Sequence, residues 1–430
     1  MIDNVKCSES RVTGSVVGGL VPSVFATFVI FLILYEPDFR LQVFGSYISA
    51  VIIAALYFFA FRSSISLHLG VSKQELLIIG LLVFSLVFIL FVVASAGGDV
   101  SKALHLVIYL GFVVPFAAVV LLIFLGNRGM EFFLSIIAVA AFLQALLMFG
   151  EFFSETISAA LDEIVSRPEL VHSSYRVSGI SSMTGDGLSF VQFIGFSSAF
   201  SLAYLFESVR HNKVWYFLAA VIFVSMLFAG RTGLLLSTLF VLAVLAATSW
   251  RRLLTFAFSG SFVIAFLVVA FFAVPGAFVG GFGVSFRHAL EPFISLASGS
   301  GFRVSSINDL LNNHLVFPDS IRVWMLGAGQ WGDANTGGNY MGTDIGYLRM
   351  IWYVGLPASL MIYSWYLYAL VPMWRARPDL KYYLFPLFFC LFVAHFKFPF
   401  LLGSQAVFFV LLIFFSVMRE RSYSGLMGAK

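Results

Sequence analysis

Apolar residues in this chain come in long unbroken runs separated by short polar breaks. The runs lie at roughly 12–35, 41–60, 75–95, 104–125, 130–150, 188–207, 214–230, 232–249, 253–274, 347–370, 382–396 and 399–418. A helix needs about 20 such residues to cross the hydrocarbon core of a bilayer. None of the runs alternates apolar and polar positions in the manner of a membrane β-barrel strand. The pattern predicts an all-α, polytopic integral membrane protein of about 12 transmembrane helices, one membrane domain over residues 1–430. The first run is longer than the apolar core of a secretory signal, and no small-residue cleavage site follows it. It is expected to stay as the first span.

Two polar stretches break the pattern, 151–187 and 275–346. The second carries Arg287, His288, Glu291, Arg303, Asp309, His314, Asp319, Arg322, Asp333 and Asp344. Within it, 284–297 and 303–315 space their apolar residues as short amphipathic helices do, suited to lie on a membrane or cover a cavity. Lys and Arg favour cytoplasmic loops. With the N-terminal tail inside and twelve alternating spans, fifteen of the 25 Lys and Arg residues fall inside, including the short loops RHNK, SWRR and WRARPDLK. Both termini are then cytoplasmic, and both long loops lie on the far side of the membrane.

Composition narrows the chemistry. The chain is 60% apolar and 11% charged, with a mean hydropathy of +0.99, which leaves no soluble domain to hold a nucleotide sugar. There is no GxxxxGK[ST] and no HExxH. A GxGxxG at Gly327, Gly329 and Gly332 has no βαβ unit around it and reads as a chance match in a flexible segment. Cys7 and Cys390 suggest no disulfide framework, metal site or nucleophile. No metal, cofactor or nucleic acid is expected. Energy must come from an activated substrate already in the membrane, or from a gradient.

Three far-side segments place Arg beside Gly and Ser: YRVSGISSMTGDG with Arg176, AGRTG with Arg231 and GFRVSSINDLLNNHL with Arg303. The planar, permanently charged guanidinium suits phosphate recognition. Each charged hydrogen bond is worth roughly 1.5–3 kcal/mol, so three converging arginines could bind a pyrophosphate and stabilise it as a leaving group. Lipid-headgroup contact or a salt bridge to a loop carboxylate is the plainer role for any one of them; for Arg231, so close to the hydrocarbon, a functional role is favoured over capping a tight turn and snorkelling. Asp344 stands at the start of the tenth span. It could position or deprotonate a hydroxyl acceptor, or it or Thr343 could be the helix N-cap. His314 shares the loop with Arg303; neither it nor His288 has metal-ligand spacing.

The order R-x-S-G before a span, GRTG-L opening another, an Arg-bearing loop helix, and GxG leading to TDIGYLR-x5-G resembles the O-antigen polymerase and ligase superfamily (Wzy type). The resemblance covers roughly 170–365. It implies a bacterial inner-membrane enzyme with a large late periplasmic loop, acting on undecaprenyl-pyrophosphate-linked oligosaccharides, with membrane lipid, a chain-length regulator and a flippase as partners. It assigns Arg176, Arg231 and Arg303 as polyanion-binding residues. Arg176 and Gly187 fit the arginine, ten residues and glycine described in periplasmic loops of some such polymerases; Arg303 and Arg322 do not. Ligases tend to carry His-Asn where this chain has Asp344-Ile345, which favours polymerase.

The expected activity is therefore O-antigen polymerisation by metal-independent glycosyl transfer. Asp344, Arg231 and Arg303 are expected to be catalytic, and Arg176, Gly187, Arg322, Tyr347, Arg349 and His314 to bind substrate. The alternatives are a ligase to lipid A-core and, from another class, a lipid-linked oligosaccharide flippase. Transporters tend to carry ionisable groups at mid-membrane; here the spans hold little beyond Gln144 and Gln192.

Overall fold

The computed structural model describes residues 16–37, 72–125, 129–165, 177–183, 185–206, 212–251, 253–254, 291, 294–295, 298–299, 310, 312–333 and 338–428. Among these, regular structure is helical apart from isolated bridge positions, Gly332 with Asn339 among them. The helices are α1 (Val16–Tyr35), α2 (Lys73–Ser95), α3 (Val100–Ile108), α4 (Val114–Leu125), α5 (Met130–Phe153), α6 (Glu155–Ile164), α7 (Gly185–Tyr204), α8 (Val214–Ala229), α9 (Arg231–Thr248), α10 (Ile321–Leu326), α11 (Gly346–Ala376), α12 (Lys381–Lys397) and α13 (Ser404–Gly428). Seven helical segments among the described residues are long and apolar enough to cross a membrane, so the protein is a membrane-embedded helical bundle. The expected run at 41–60, nearly all of 253–274, and most of the two amphipathic loop helices lie outside the described residues.

Local chemistry sets several boundaries. Ser72 opens α2 with a capping box. Its hydroxyl accepts from the Glu75 N–H (3.2 Å), and the Glu75 carboxylate accepts from the Ser72 N–H (2.7 Å). Between α3 and α4 the chain passes through a π turn, Tyr109–Val113. Pro115 has no N–H for the Gly111 carbonyl and its ring crowds that turn, which the wider π turn accommodates.

Hydropathy and burial are inversely matched. α2, almost purely aliphatic and aromatic, turns Leu77, Phe84, Val87 and Phe91 outward. α7 holds Gly195, Gln192 and Ser189, Ser197, Ser198 and Ser201, all buried. It can be this polar because α5, α8 and α9 surround it. Gly195 lets α5 come close: a Cβ there would sit 2.0 Å from the Cβ of Ala141, the small-residue contact by which membrane helices pack.

α11 is broken. Gly355 (φ 76°, ψ 170°) interrupts it, and Pro357 cannot donate to the Tyr353 carbonyl four residues back. The freed carbonyls are used: Ala328 N–H donates to Trp352 O (2.6 Å) and Gly329 N–H to Tyr353 O (3.0 Å). The segment read as a flexible chance match is thus ordered and packed. A Cβ on Gly327 would meet Tyr353 O at 2.5 Å, and Gly329 lies against Gly98 at the turn between α2 and α3. Its glycines serve close backbone approach.

Helix ends sort into two polar layers. One joins Glu75 to Arg419 (3.2 Å) and Glu420 to both Arg377 and the Met130 N–H. It also gathers Lys73, Lys381 and Arg375, part of the set that the charge bias reads as cytoplasmic. The other holds Glu36, Asp99, Glu151, Asp186, Arg231 and Asp344. Every Asp, Glu, Lys, Arg and His side chain of the described spans lies near one of these ends; the middle of the described bundle carries no charged group.

Candidate functional site

The second polar layer holds the described candidates Gly187, Arg231, His314, Asp344, Tyr347 and Arg349. At one corner, the N-termini of α7 and α9 meet. Gly230 and Gly233 make this possible: a Cβ on Gly233 would meet Ser189 O at 2.2 Å, and one on Gly230 would meet Gly185 O at 3.0 Å. The Thr232 hydroxyl donates to Asp186 Oδ1 (2.6 Å), the Gly233 N–H donates to Ser189 Oγ (3.2 Å), and Ser189 Oγ donates to Asp186 O (3.0 Å). Two positive helix ends therefore share one acidic residue. Beside them Arg231 pairs with Glu291, both partly exposed at 31% and 24%. A partly exposed pair of this kind adds only about 0–1 kcal/mol, so a better anion could take the guanidinium from Glu291.

A second corner forms where the loop enters α11. The helix begins at Gly346, with Ile345 as its N-cap and no side-chain cap. Asp344 is thus not on the first turn of the helix. Its carboxylate instead accepts from the Asn339 side-chain amide and faces His314, with Nε2 at 3.6 Å from Oδ2. His314 Nδ1 contacts the Gly342 carbonyl. A carbonyl can only accept, so Nδ1 carries a proton, and Nε2 is the nitrogen turned toward the Asp344 carboxylate. Thr343 donates to His314 O (2.7 Å) and accepts from the Ile345 N–H (3.3 Å), which fixes both residues. The result is an imidazole and a carboxylate side by side, partly open to the exterior.

Five residues on, Arg349 is only 6% exposed. Its guanidinium lies 4.3 Å from the Trp331 ring centroid and 5.5 Å from that of Phe398, and donates weakly to Trp331 O (3.4 Å). Its Nε has no hydrogen-bond partner among the described residues. Lys102 approaches the same indole at 5.6 Å. Cation–π contact offsets part of the desolvation, about 2 kcal/mol at such a site. Tyr347 turns inward. Its hydroxyl donates to Phe392 O (2.8 Å), and its ring packs on Tyr363 and His395.

The sequence reading missed Glu36. It follows α1 with φ 40°, a rare conformation for a side chain other than glycine. Its carboxylate accepts from Tyr109 (3.2 Å), at the start of the π turn, and from Ser404, at the start of α13; its carbonyl accepts from Ser182 (2.5 Å). Burial holds the carboxyl above its ordinary pKa, and the bonds from Ser404, Tyr109 and Gln405 oppose that rise. A signal existed in the acidic residue that directly closes the apolar run 12–35. Glu151 likewise accepts from the Ser178 and Gly179 N–H groups (3.1 and 2.6 Å).

The expected residues are thus partly gathered. His314 and Asp344 meet, with Arg349 close by on α11. Arg231 stands at the α7–α9 corner with Asp186. Gly187 sits in the first turn of α7, where a Cβ would make only ordinary contacts. Arg322 is exposed on α10. Arg176 and Arg303 lie outside the described residues. Among the described residues no group of three or more His, Cys, Asp or Glu side chains could hold a metal ion. No family model matches the chain, and no curated protein matches it in sequence.

Proposed function

We propose that the protein is a lipid-linked oligosaccharide glycosyltransferase, an O-antigen polymerase working at the outer face of a bacterial inner membrane. The observation that carries this reading is the His314–Asp344 pair, held in the polar layer at the mouth of α11 and open to a hydroxyl acceptor. The charge-free middle of the described bundle supports surface chemistry on a membrane-borne substrate over passage through the membrane.

In the proposed reaction the acceptor sugar hydroxyl gives its proton to His314 Nε2, with Asp344 stabilising the imidazolium that forms. The hydroxyl oxygen attacks the anomeric carbon of the donor glycan. The anomeric C–O bond to undecaprenyl pyrophosphate breaks, and the bonding pair leaves on the pyrophosphate oxygen. Arg231 exchanges Glu291 for that diphosphate and balances its growing charge. Arg176 and Arg303 are assigned to the same anion by the sequence resemblance.

The test is reconstitution into liposomes that carry lipid-linked repeat units on their outer leaflet. Polymer formation by the wild-type protein, lost in Arg231→Ala and His314→Gln at equal membrane levels, supports the reading. Transfer to lipid A-core without polymer would make it a ligase. Absence of any new glycosidic bond would sink it.

A further inference from the structure

The loop before α11 presents an apolar surface that neither the fold nor the proposed chemistry uses. Ile321 is 77% exposed and Phe317, Met325 and Leu326 about half so; Leu315 and Met341, from the same loop, are also exposed. Soluble surfaces rarely gather large apolar side chains in this way. Arg322 is exposed among them. Trp324 stacks on Phe317 and spends its N–H on Pro318 O (2.8 Å).

The position of this surface decides what covers it. α10 is clamped to the break in α11, where a Cβ on Gly355 would meet Met325 O at 2.5 Å. Gly355 lies nine residues past the start of α11 at Gly346, so at 1.5 Å per residue the clamp is recessed by about 13 Å along the helix. Gly346 itself packs against His395 O and Phe398 at the end of α12. α10 therefore lies alongside the bundle below that end, not beyond it. One residue past the clamp, the outward stripe of α11 begins: Leu356, Leu360, Leu367 and Val371 are all exposed, at the spacing of a single helix face. The apolar surface of α10 adjoins that stripe.

We infer that α10, with Phe317 and the outward side chains Ile321, Met325 and Leu326, is a foot embedded in the bilayer, its occupant the acyl-chain region just beneath the lipid headgroups. Arg322 reaches back to the phosphate level, as cationic side chains at interfaces do. The foot ties the loop that carries His314 and Asp344 to a fixed depth against α11. This inference does not rest on the glycosyltransferase reading.

The test uses the full chain in nanodiscs, with Ile321→Cys in a Cys7→Ser background carrying an environment-sensitive fluorophore. Cys390 is buried and stays unlabelled. Lys213→Cys, at an exposed polar helix end, is the water-facing reference. Phospholipids brominated on the acyl chain near the headgroup should lower the Ile321→Cys signal about twofold or more, as expected for side chains roughly 5–10 Å into the interface, while aqueous iodide dominates at Lys213→Cys. Met325→Cys gives the same reading should the first variant not fold. Dominant quenching by iodide at both loop sites overturns the inference by placing them in water. Protection from both quenchers overturns it too, because protein, such as a second copy of the chain, would then cover the surface.

Discussion

Replacing Gly355 by Ala should unclamp α10 from α11. The substitution forces a side chain into φ 76°, ψ 170°, a region that is essentially glycine's own and costs of order 1–3 kcal/mol for other residues. The new Cβ would stand 2.5 Å from Met325 O, and backbone is what must move. Moving it breaks the bonds from Ala328 N–H to Trp352 O and from Gly329 N–H to Tyr353 O, each worth about 0.5–1.5 kcal/mol. Together these lower the free energy of local opening by roughly 2–6 kcal/mol, which corresponds to exchange faster by roughly 25-fold to 10⁴-fold. Hydrogen–deuterium exchange on a peptide covering residues 326–331 in nanodiscs reads this directly. Gly80→Ala is the control: nothing lies within 4 Å of a Cβ there, and a mid-helix Gly→Ala should stabilise α2 by about 0.5–1 kcal/mol. Unchanged exchange at 326–331 in Gly355→Ala would refute the idea that this break is held open by loop-to-helix backbone bonds.

Three further outcomes are expected. Asp344→Asn should lower glycan transfer by about 10²–10⁴-fold, because the base His314 then loses the carboxylate that stabilises its imidazolium, with the protein still at wild-type level in the membrane; near-normal polymer would remove Asp344 from the reaction. Thr232→Val deletes the 2.6 Å bond to Asp186 and should destabilise the α7–α9 corner by about 1.5–3 kcal/mol, seen as a lower melting temperature in detergent. Glu36 should give a pH signature. Its folded pKa is raised by burial, so its contribution is full below the ordinary carboxylate pKa and is lost as pH climbs to the raised value, because the unfolded chain ionises first. Glu36→Gln should therefore gain stability relative to wild type across that rise, and parallel pH profiles for the two proteins would argue against a raised carboxyl.

What the sequence reveals here follows from the solvent. A bilayer demands apolar length, so most spans could be drawn to within a few residues, and α9 begins one residue from where its run was placed. Features made by contact between distant residues could not be read. Pro357 and Gly355 both stand inside one apolar run, and nothing local says that the freed carbonyls meet Ala328 and Gly329. The glycines at 327 and 329 match a nucleotide motif by type, while their purpose lies in the backbone of α11. Asp344 was visible as a carboxylate at a membrane edge; its partner His314, thirty residues earlier, was visible only as a histidine in the same loop. Arg349 shows the opposite case. Its charge in an apolar context marks it in the sequence, but the stack on Trp331 depends on a loop folding back over the helix.

The polarity of α7 bears on how the protein is made. A segment with four buried serines, a glutamine and an aspartate near its start partitions weakly from a translocation channel into lipid on its own. Its neighbours α8 and α9 are synthesised after it. α7 should therefore linger beside the channel, held by α5 through Gly195 and Ala141, until those two helices emerge and enclose it. Truncation after residue 206 would leave α7 without that enclosure and expose the nascent chain to quality-control proteolysis, whereas truncation after Thr248 would not.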